Sequence, residues 1–141
     1  MGSKGSVLVT KSSISCAPSF NVDVVDTVGC GDSYTAAIAL GYLHNMSGIC
    51  TLTLANAVGA ATAASMGAGR NVATLDKVLG ILRESNLNED GGEFWRELFE
   101  GNLEEGEVFL LSARKPVDGD DDRFVHVPAR NVGHQLISKF E

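Results

Sequence analysis

The sequence predicts an α/β fold, and three observations carry that prediction. Two short β-branched runs, Ser6–Thr10 (SVLVT) and Val22–Val25 (VDVV), lie near the start and are bounded by Gly, Ser, Pro and Asn, the composition of strand ends. Two Ala-rich stretches, Gly31–His44 and Thr51–Met66, are long enough to be helices. Between the second run and the first helix stands Asp26-Thr27-Val28-Gly29-Cys30-Gly31-Asp32. Strand, glycine turn, helix is the order of an α/β unit.

The elements follow in turn. Lys11–Asn21, with Pro18 inside it, reads as a loop or hairpin connection between the two strands. Asn45-Met46-Ser47-Gly48 separates the two helices. The second helix carries Ala55, Ala57, Ala60, Ala61, Ala63 and Ala64, so a neighbouring backbone can approach on nearly every side, and burial against a sheet is expected. Thr74–Arg83 reads as a third helix with Thr74 as its cap and Leu75, Val78, Leu79 and Leu82 as its apolar stripe. Beyond Glu84 the texture shifts to Asn, Glu, Asp and Gly, and a boundary near Ser85–Gly92 divides the chain into residues 1–84 and 85–141. The second part holds a helix over Glu93–Glu100 and two apolar runs, Val108–Leu111 and Phe124–Val127. These flank the acidic segment 116–122, which suits a hairpin.

Composition limits the function. The 141 residues are enough for one ordinary core but short for an enzyme that must hold two substrates. With 44% hydrophobic and 21% charged residues the chain suits a globular protein rather than a disordered one. A net charge of −7 with no Lys/Arg cluster argues against nucleic-acid binding. No apolar run approaches the ~20 residues that span a bilayer, and the start has no apolar signal core. Cys16, Cys30 and Cys50 form neither an even disulfide set nor a metal pair, which suggests a reducing, cytoplasmic setting.

Glycines at positions 29 and 31 permit a backbone that turns successive amides to one side, and the first turn of a helix leaves its own amides without partners. The combination is an anion site, suited to a terminal phosphate at the amides of Cys30, Gly31 and Asp32. A carboxylate at Asp32 would repel phosphate, so it makes sense as a base that takes a proton from a substrate hydroxyl.

The wider string Asp26-Thr27-Val28-Gly29-Cys30-Gly31-Asp32-Ser33-Tyr34 closely resembles the C-terminal signature of the ribokinase-like (PfkB) family of carbohydrate and nucleoside kinases, D-T-x-G-A-G-D-x-F. Cys30 for Ala and Tyr34 for Phe are the departures. Gly2-Ser3-Lys4-Gly5 before a strand looks like the G-x-x-G turn of the family's nucleotide element, and Ala55-Asn56-Ala57 leading to Gly67-Ala68 looks like its A-N-A…G-A helix. The resemblance spans roughly residues 1–83. It implies the C-terminal part of a ribokinase-like three-layer fold, a mostly parallel sheet with flanking helices, followed by an extra C-terminal α+β segment.

The resemblance also implies roles. Asp32 matches the catalytic base, and Gly29, Cys30 and Gly31 match the anion hole. Gly2, Ser3, Gly5 and Asn56 fall where the family contacts ATP. Asp26, Val28, Thr62, Ser65, Gly67 and Asn71 match its loop for an activating monovalent cation such as K+, mostly through backbone carbonyls. Mg2+ is expected to arrive with ATP, because Asn86-Leu87-Asn88-Glu89 and Asn102-Leu103-Glu104-Glu105 imitate the family's N-x-x-E element on the wrong side of the catalytic motif. A thiol at Cys30, at a helix N-terminus, is a candidate for a lowered pKa.

Other signals carry nothing. Asp118, Asp120 and Asp122 imitate a calcium loop, but Arg123 and Ala129 stand where Gly and Glu are needed. His44, His126 and His134 have no metal-ligand spacing. The expected activity is transfer of the ATP γ-phosphate to a hydroxyl of a sugar, nucleoside or similar polyol. The family's substrate-binding region precedes the G-x-x-G turn, so the chain reads as a C-terminal portion of a longer kinase. The alternative is a non-catalytic regulatory or interaction module derived from such a kinase, with residues 85–141 supplying a surface for a protein partner.

Overall fold

A computed structural model describes residues 1–67, 69, 72–99, 107–113 and 124–141. Among them a 3-10 turn at Gly2–Lys4 leads into strand β1 (Ser6–Val9) and strand β2 (Ser13–Ala17). Helices α1 (Cys30–Leu43), α2 (Gly48–Ala63), α3 (Leu75–Glu84) and α4 (Glu89–Phe99) follow. Strands β3 (Glu107–Ser112) and β4 (Phe124–Pro128) and helix α5 (Ala129–Phe140) complete the order. The sheet order is β1-β2-β3-β4. The first pair is antiparallel and the other two are parallel, so the α/β class with a mostly parallel sheet holds.

Four expectations change. Val22–Val25 is not a strand: Val24 and Val25 are largely exposed, and the amides of Val25 and Asp26 donate to the carbonyl of Ala63 at 2.8 and 3.1 Å. The run is extended chain docked on the end of α2, with no ladder partner among the described residues. The second strand is instead Ser13–Ala17, hidden in the sequence by its serines and by Pro18 just beyond it. Its hairpin turn is tied by the Thr10 amide donating to the Ser13 carbonyl at 2.9 Å.

The runs at Val108–Leu111 and Phe124–Val127 pair in parallel, with Leu110 opposite His126, so they do not form a hairpin. A parallel pair needs a crossover rather than a tight turn. The acidic segment 116–122 between them lies outside the described residues. Helix α5 was not foreseen, although Val132, Leu136 and Ile137 bury one face of it. Gly133 weakens the helical signal there. It has a packing reason: a Cβ at 133 would stand 2.7 Å from the carbonyl oxygen of Leu82.

Three helices also begin earlier than expected, α1 by one residue at Cys30. Ser47 caps α2, its Oγ accepting from the Cys50 amide at 3.3 Å, and α4 starts at Glu89 rather than Glu93. Thr74 caps α3 as expected, accepting from the Lys77 amide, but Leu75 is exposed and only Val78, Leu79 and Leu82 reach the core.

Helix α2 is the axis of the molecule. Leu52, Leu54, Ala55, Ala57 and Ala61 are buried in one cluster with Leu82 of α3, Leu111 of β3 and Leu136 of α5. A smaller cluster joins Cys16, Trp95, Val108 and Leu110. Both the sheet and these cores cross the division between residues 84 and 85.

Small residues let α1 lie close on α2. A Cβ at Gly41 would sit 2.6 Å from Cγ2 and Oγ1 of the buried Thr51. Gly41→Ala is therefore expected to destabilise the fold by about 1–3 kcal/mol through overpacking. Chemical denaturation should show the loss, and the double variant with Thr51→Ala should recover part of it, since the clash is with that side chain.

Candidate nucleotide cleft

One cavity of about 450 Å3 gathers the two glycine elements of the sequence. Gly2, Ser3 and Gly5 line it from the N-terminal turn, Thr27, Cys30 and Gly31 from the loop opening α1, and Asn56, Gly59, Ala60 and Ala63 from α2. Phe20, Val22, Val24 and Tyr34 add apolar walls. The size and the mostly apolar lining with a few polar groups fit a nucleotide-sized ligand. Gly59 and Phe20 were not singled out from the sequence, and Ala60 and Tyr34 were not read there as lining a cleft. A small-residue stripe on a buried helix looks the same whether it packs a sheet or floors a cleft.

The loop opening α1 has the geometry its glycines suggest. Gly29 is left-handed at φ 83, which turns the chain into the helix without a side-chain cap. The Cys30 amide donates to the Thr27 carbonyl at 3.2 Å and the Ser33 amide to the Gly29 carbonyl at 3.0 Å. The amides of Gly31 and Asp32 meet no acceptor among the described residues, so the open donors of the helix end are these two rather than that of Cys30. Asp32 lies in the first turn, exposed, just beyond the cleft wall at Gly31.

Cys30 is not the activated thiol that its helix position suggested. Burial, and then the negative charge of Asp26, push its pKa up. Its Sγ donates to the Gly59 carbonyl at 3.6 Å, so the thiol ties α1 to the floor of the cleft. Cys16, fully buried, has its thiol pushed up to about 12 by burial and is inert.

Asn56 is also occupied within the fold. Its Nδ2 donates to the carbonyls of Ala17 and Pro18 at 2.9 and 3.1 Å, and its Oδ1 accepts from Ser6 Oγ at 2.7 Å. It staples α2 to the ends of β1 and β2, and through them sets the cleft wall. Ser3 is held in place as well: its carbonyl accepts from Ser19 Oγ at 2.6 Å and Asn88 Nδ2 at 2.9 Å.

The structure draws Asp26, Val28 and Gly67 together. One carboxylate oxygen of Asp26 accepts from the Val28 amide at 3.0 Å and the other from the Gly67 amide at 2.8 Å. These bonds, Val28 first, hold its pKa below the ordinary carboxylate value. Asp26 thereby pins the loop opening α1 to the turn after α2. Because its folded pKa is lowered, its stabilising contribution is fully present above the ordinary value and disappears as pH falls through the folded value. Asp26→Asn should melt at a lower temperature than the native chain at pH 7, and that gap should narrow below about pH 3.8. Thermal melts across pH 2 to 7 check the sign.

At the positions matched to the cation loop, the described side chains are engaged within the fold. Both oxygens of Asp26 are engaged by amides. Thr62 Oγ1 donates to the Val58 carbonyl at 3.0 Å and accepts from the Ala73 amide at 3.3 Å. Lys77 donates from its ammonium to Ser65 Oγ at 2.5 Å. Asn71 lies outside the described residues. Among the described residues no three His, Cys, Asp or Glu side chains cluster to hold a metal ion. No described helix is long and apolar enough to cross a membrane.

The pfkB family carbohydrate kinase profile matches residues 1–75, more than half of the chain. An ATP-dependent ribose-1-phosphate kinase of Halopiger xanaduensis is 39% identical over 83 residues, which cover 59% of this chain and 28% of that kinase. The aligned stretch therefore spans little over a quarter of the relative's length. The matched residues contain the N-terminal turn, the loop opening α1 and helix α2, the three elements that meet in the cleft, and the chain belongs to the pfkB family of carbohydrate kinases.

Proposed function

We propose that the cleft binds ATP with its terminal phosphate toward Gly31, and that the chain contributes the phosphoryl-transfer half of a carbohydrate or nucleoside kinase site. The single observation that carries this reading is the convergence of Gly2, Ser3, Thr27, Cys30, Gly31 and Asn56 on one cavity. The open amides of Gly31 and Asp32, at the positive end of α1, would meet the γ-phosphate oxygens. The apolar walls would take the base.

In the reaction the Asp32 carboxylate accepts the proton of the substrate hydroxyl, and the freed oxygen forms a bond to the γ-phosphorus. The bond from that phosphorus to the β,γ-bridging oxygen breaks, and ADP leaves with the electron pair. The helix-end amides stabilise charge on the equatorial oxygens in transit. Mg2+, entering as the ion of ATP, would supply charge neutralisation between the β- and γ-phosphates.

The Halopiger relative is a ribose-1-phosphate kinase, which makes ribose 1-phosphate the first acceptor to try, with free sugars and nucleosides beside it. The test follows label from γ-labelled ATP to each acceptor in the presence of this chain. Labelled sugar or nucleoside phosphate is the expected product. ATP binding with no transfer to any acceptor favours the non-catalytic module instead, and absence of ATP binding overturns the nucleotide reading.

A further inference from the structure

We infer that Asn88 and Trp95, on and just before α4 and beyond the family match, are positioning residues that hold the nucleotide-binding turn in its working shape; this rests on the ATP reading of the cleft. The turn Gly2–Lys4 is a short 3-10 piece with only exposed or half-buried side chains, and such a piece has little to fix it by itself. Two successive carbonyls of the turn are instead held from α4 and its entry. Ser3 accepts from Asn88 Nδ2 at 2.9 Å, and Lys4 accepts from the indole Nε1–H of Trp95 at 2.8 Å.

The contact is a packed one. Trp95 is the sole tryptophan of the chain and is fully buried, edge-on to Phe94 at 5.0 Å and stacked on Phe99 at 6.3 Å. The Lys4 ammonium lies 5.4 Å over the Phe94 ring. Gly91 lets the helix approach the turn's own backbone, since a Cβ there would stand 3.0 Å from the Lys4 carbonyl oxygen. Gly2, Ser3 and Asn88 share the cleft wall, so a turn released from α4 would have to be ordered again at each binding event. Holding it in advance removes that cost from the affinity.

Trp95→Phe keeps an aromatic six-membered ring but removes the indole N–H donor together with the smaller ring that carries it, and Asn88→Ala deletes the other bond at a half-buried position. Calorimetric titration with Mg-ATP should show about fivefold weaker binding for Trp95→Phe and about threefold for Asn88→Ala, the range expected for one lost hydrogen bond. Phe99→Leu disturbs the same aromatic cluster without touching the turn. It should lower the melting temperature and leave ATP affinity where it was. In the native chain, Trp95 emission should shift on adding ATP. Native affinity in both Trp95→Phe and Asn88→Ala, or an equal loss in Phe99→Leu, overturns the positioning role while the nucleotide reading stands. A native chain that shows neither heat nor an emission change with ATP overturns the nucleotide reading itself, and the positioning role with it.

Discussion

Gly5→Ala is expected to cost more than about 3 kcal/mol and to remove ATP binding together with stability. Two independent terms add at this position. Gly5 sits at φ 88 and ψ −141, a region closed to residues with a side chain, where strain alone costs about 1–3 kcal/mol. A Cβ there would also lie 2.0 Å from the carbonyl oxygen of Ala17 and 2.7 Å from the backbone of Pro18. Both obstacles are main chain, so neither can rotate away, and Ala17 and Pro18 carry the carbonyls that Asn56 holds. Relief requires the turn to leave the end of β2, which opens the cleft wall. A melting temperature lower by roughly 10 °C is the expected reading for a chain of this size. Gly2→Ala is the control: it also has a positive φ but meets nothing within 4 Å, so its loss should be strain alone.

Asp32→Asn is expected to lower phosphoryl transfer by about 10²–10⁴-fold, the range for removing a general base, while ATP affinity is held or rises. The rise has a plain cause: the carboxylate and the γ-phosphate repel one another, and the amide does not. The fold does not depend on this side chain, which is exposed and makes no bond among the described residues. A melt of the variant should therefore overlay the native one, which separates a chemical role from a structural one. Turnover equal to the native chain would show that the proton goes elsewhere.

What the sequence made legible was decided by local chemistry. The Gly29-Cys30-Gly31-Asp32 string announces a turn into a helix because only glycine reaches φ 83 cheaply there, and that turn stands. The third helix was readable from its cap and stripe. The VDVV run was misread because alternation of valines describes a strand only when a neighbouring strand supplies the ladder, and here the carbonyl of Ala63 takes the amides of Val25 and Asp26. Long-range pairing explains the other misses. Nothing in Val108–Leu111 or Phe124–Val127 distinguishes a parallel pair from a hairpin, since both present the same β-branched and aromatic residues.

The site was legible in its elements and not in its contacts. Motif spacing gave the turn, the loop and helix α2, and the cleft joins them. That the Asn56 amide would be spent on Ala17, Pro18 and Ser6 depends on where β2 ends. The thiol of Cys30 was judged from its helix end, whereas burial and Asp26 decide its state. Lys77 reaching Ser65 joins residues twelve positions apart in the chain. Each of these is a property of packing between distant stretches of chain, which no local pattern encodes.

A crystal structure of the chain with a non-hydrolysable ATP analogue tests the central claim most directly. The account predicts the nucleotide in the 450 Å3 cleft, its terminal phosphate within hydrogen-bond distance of the Gly31 and Asp32 amides and its base against the apolar walls. A nucleotide bound elsewhere, or one lying in the cleft with its phosphates directed away from Gly31, would contradict it.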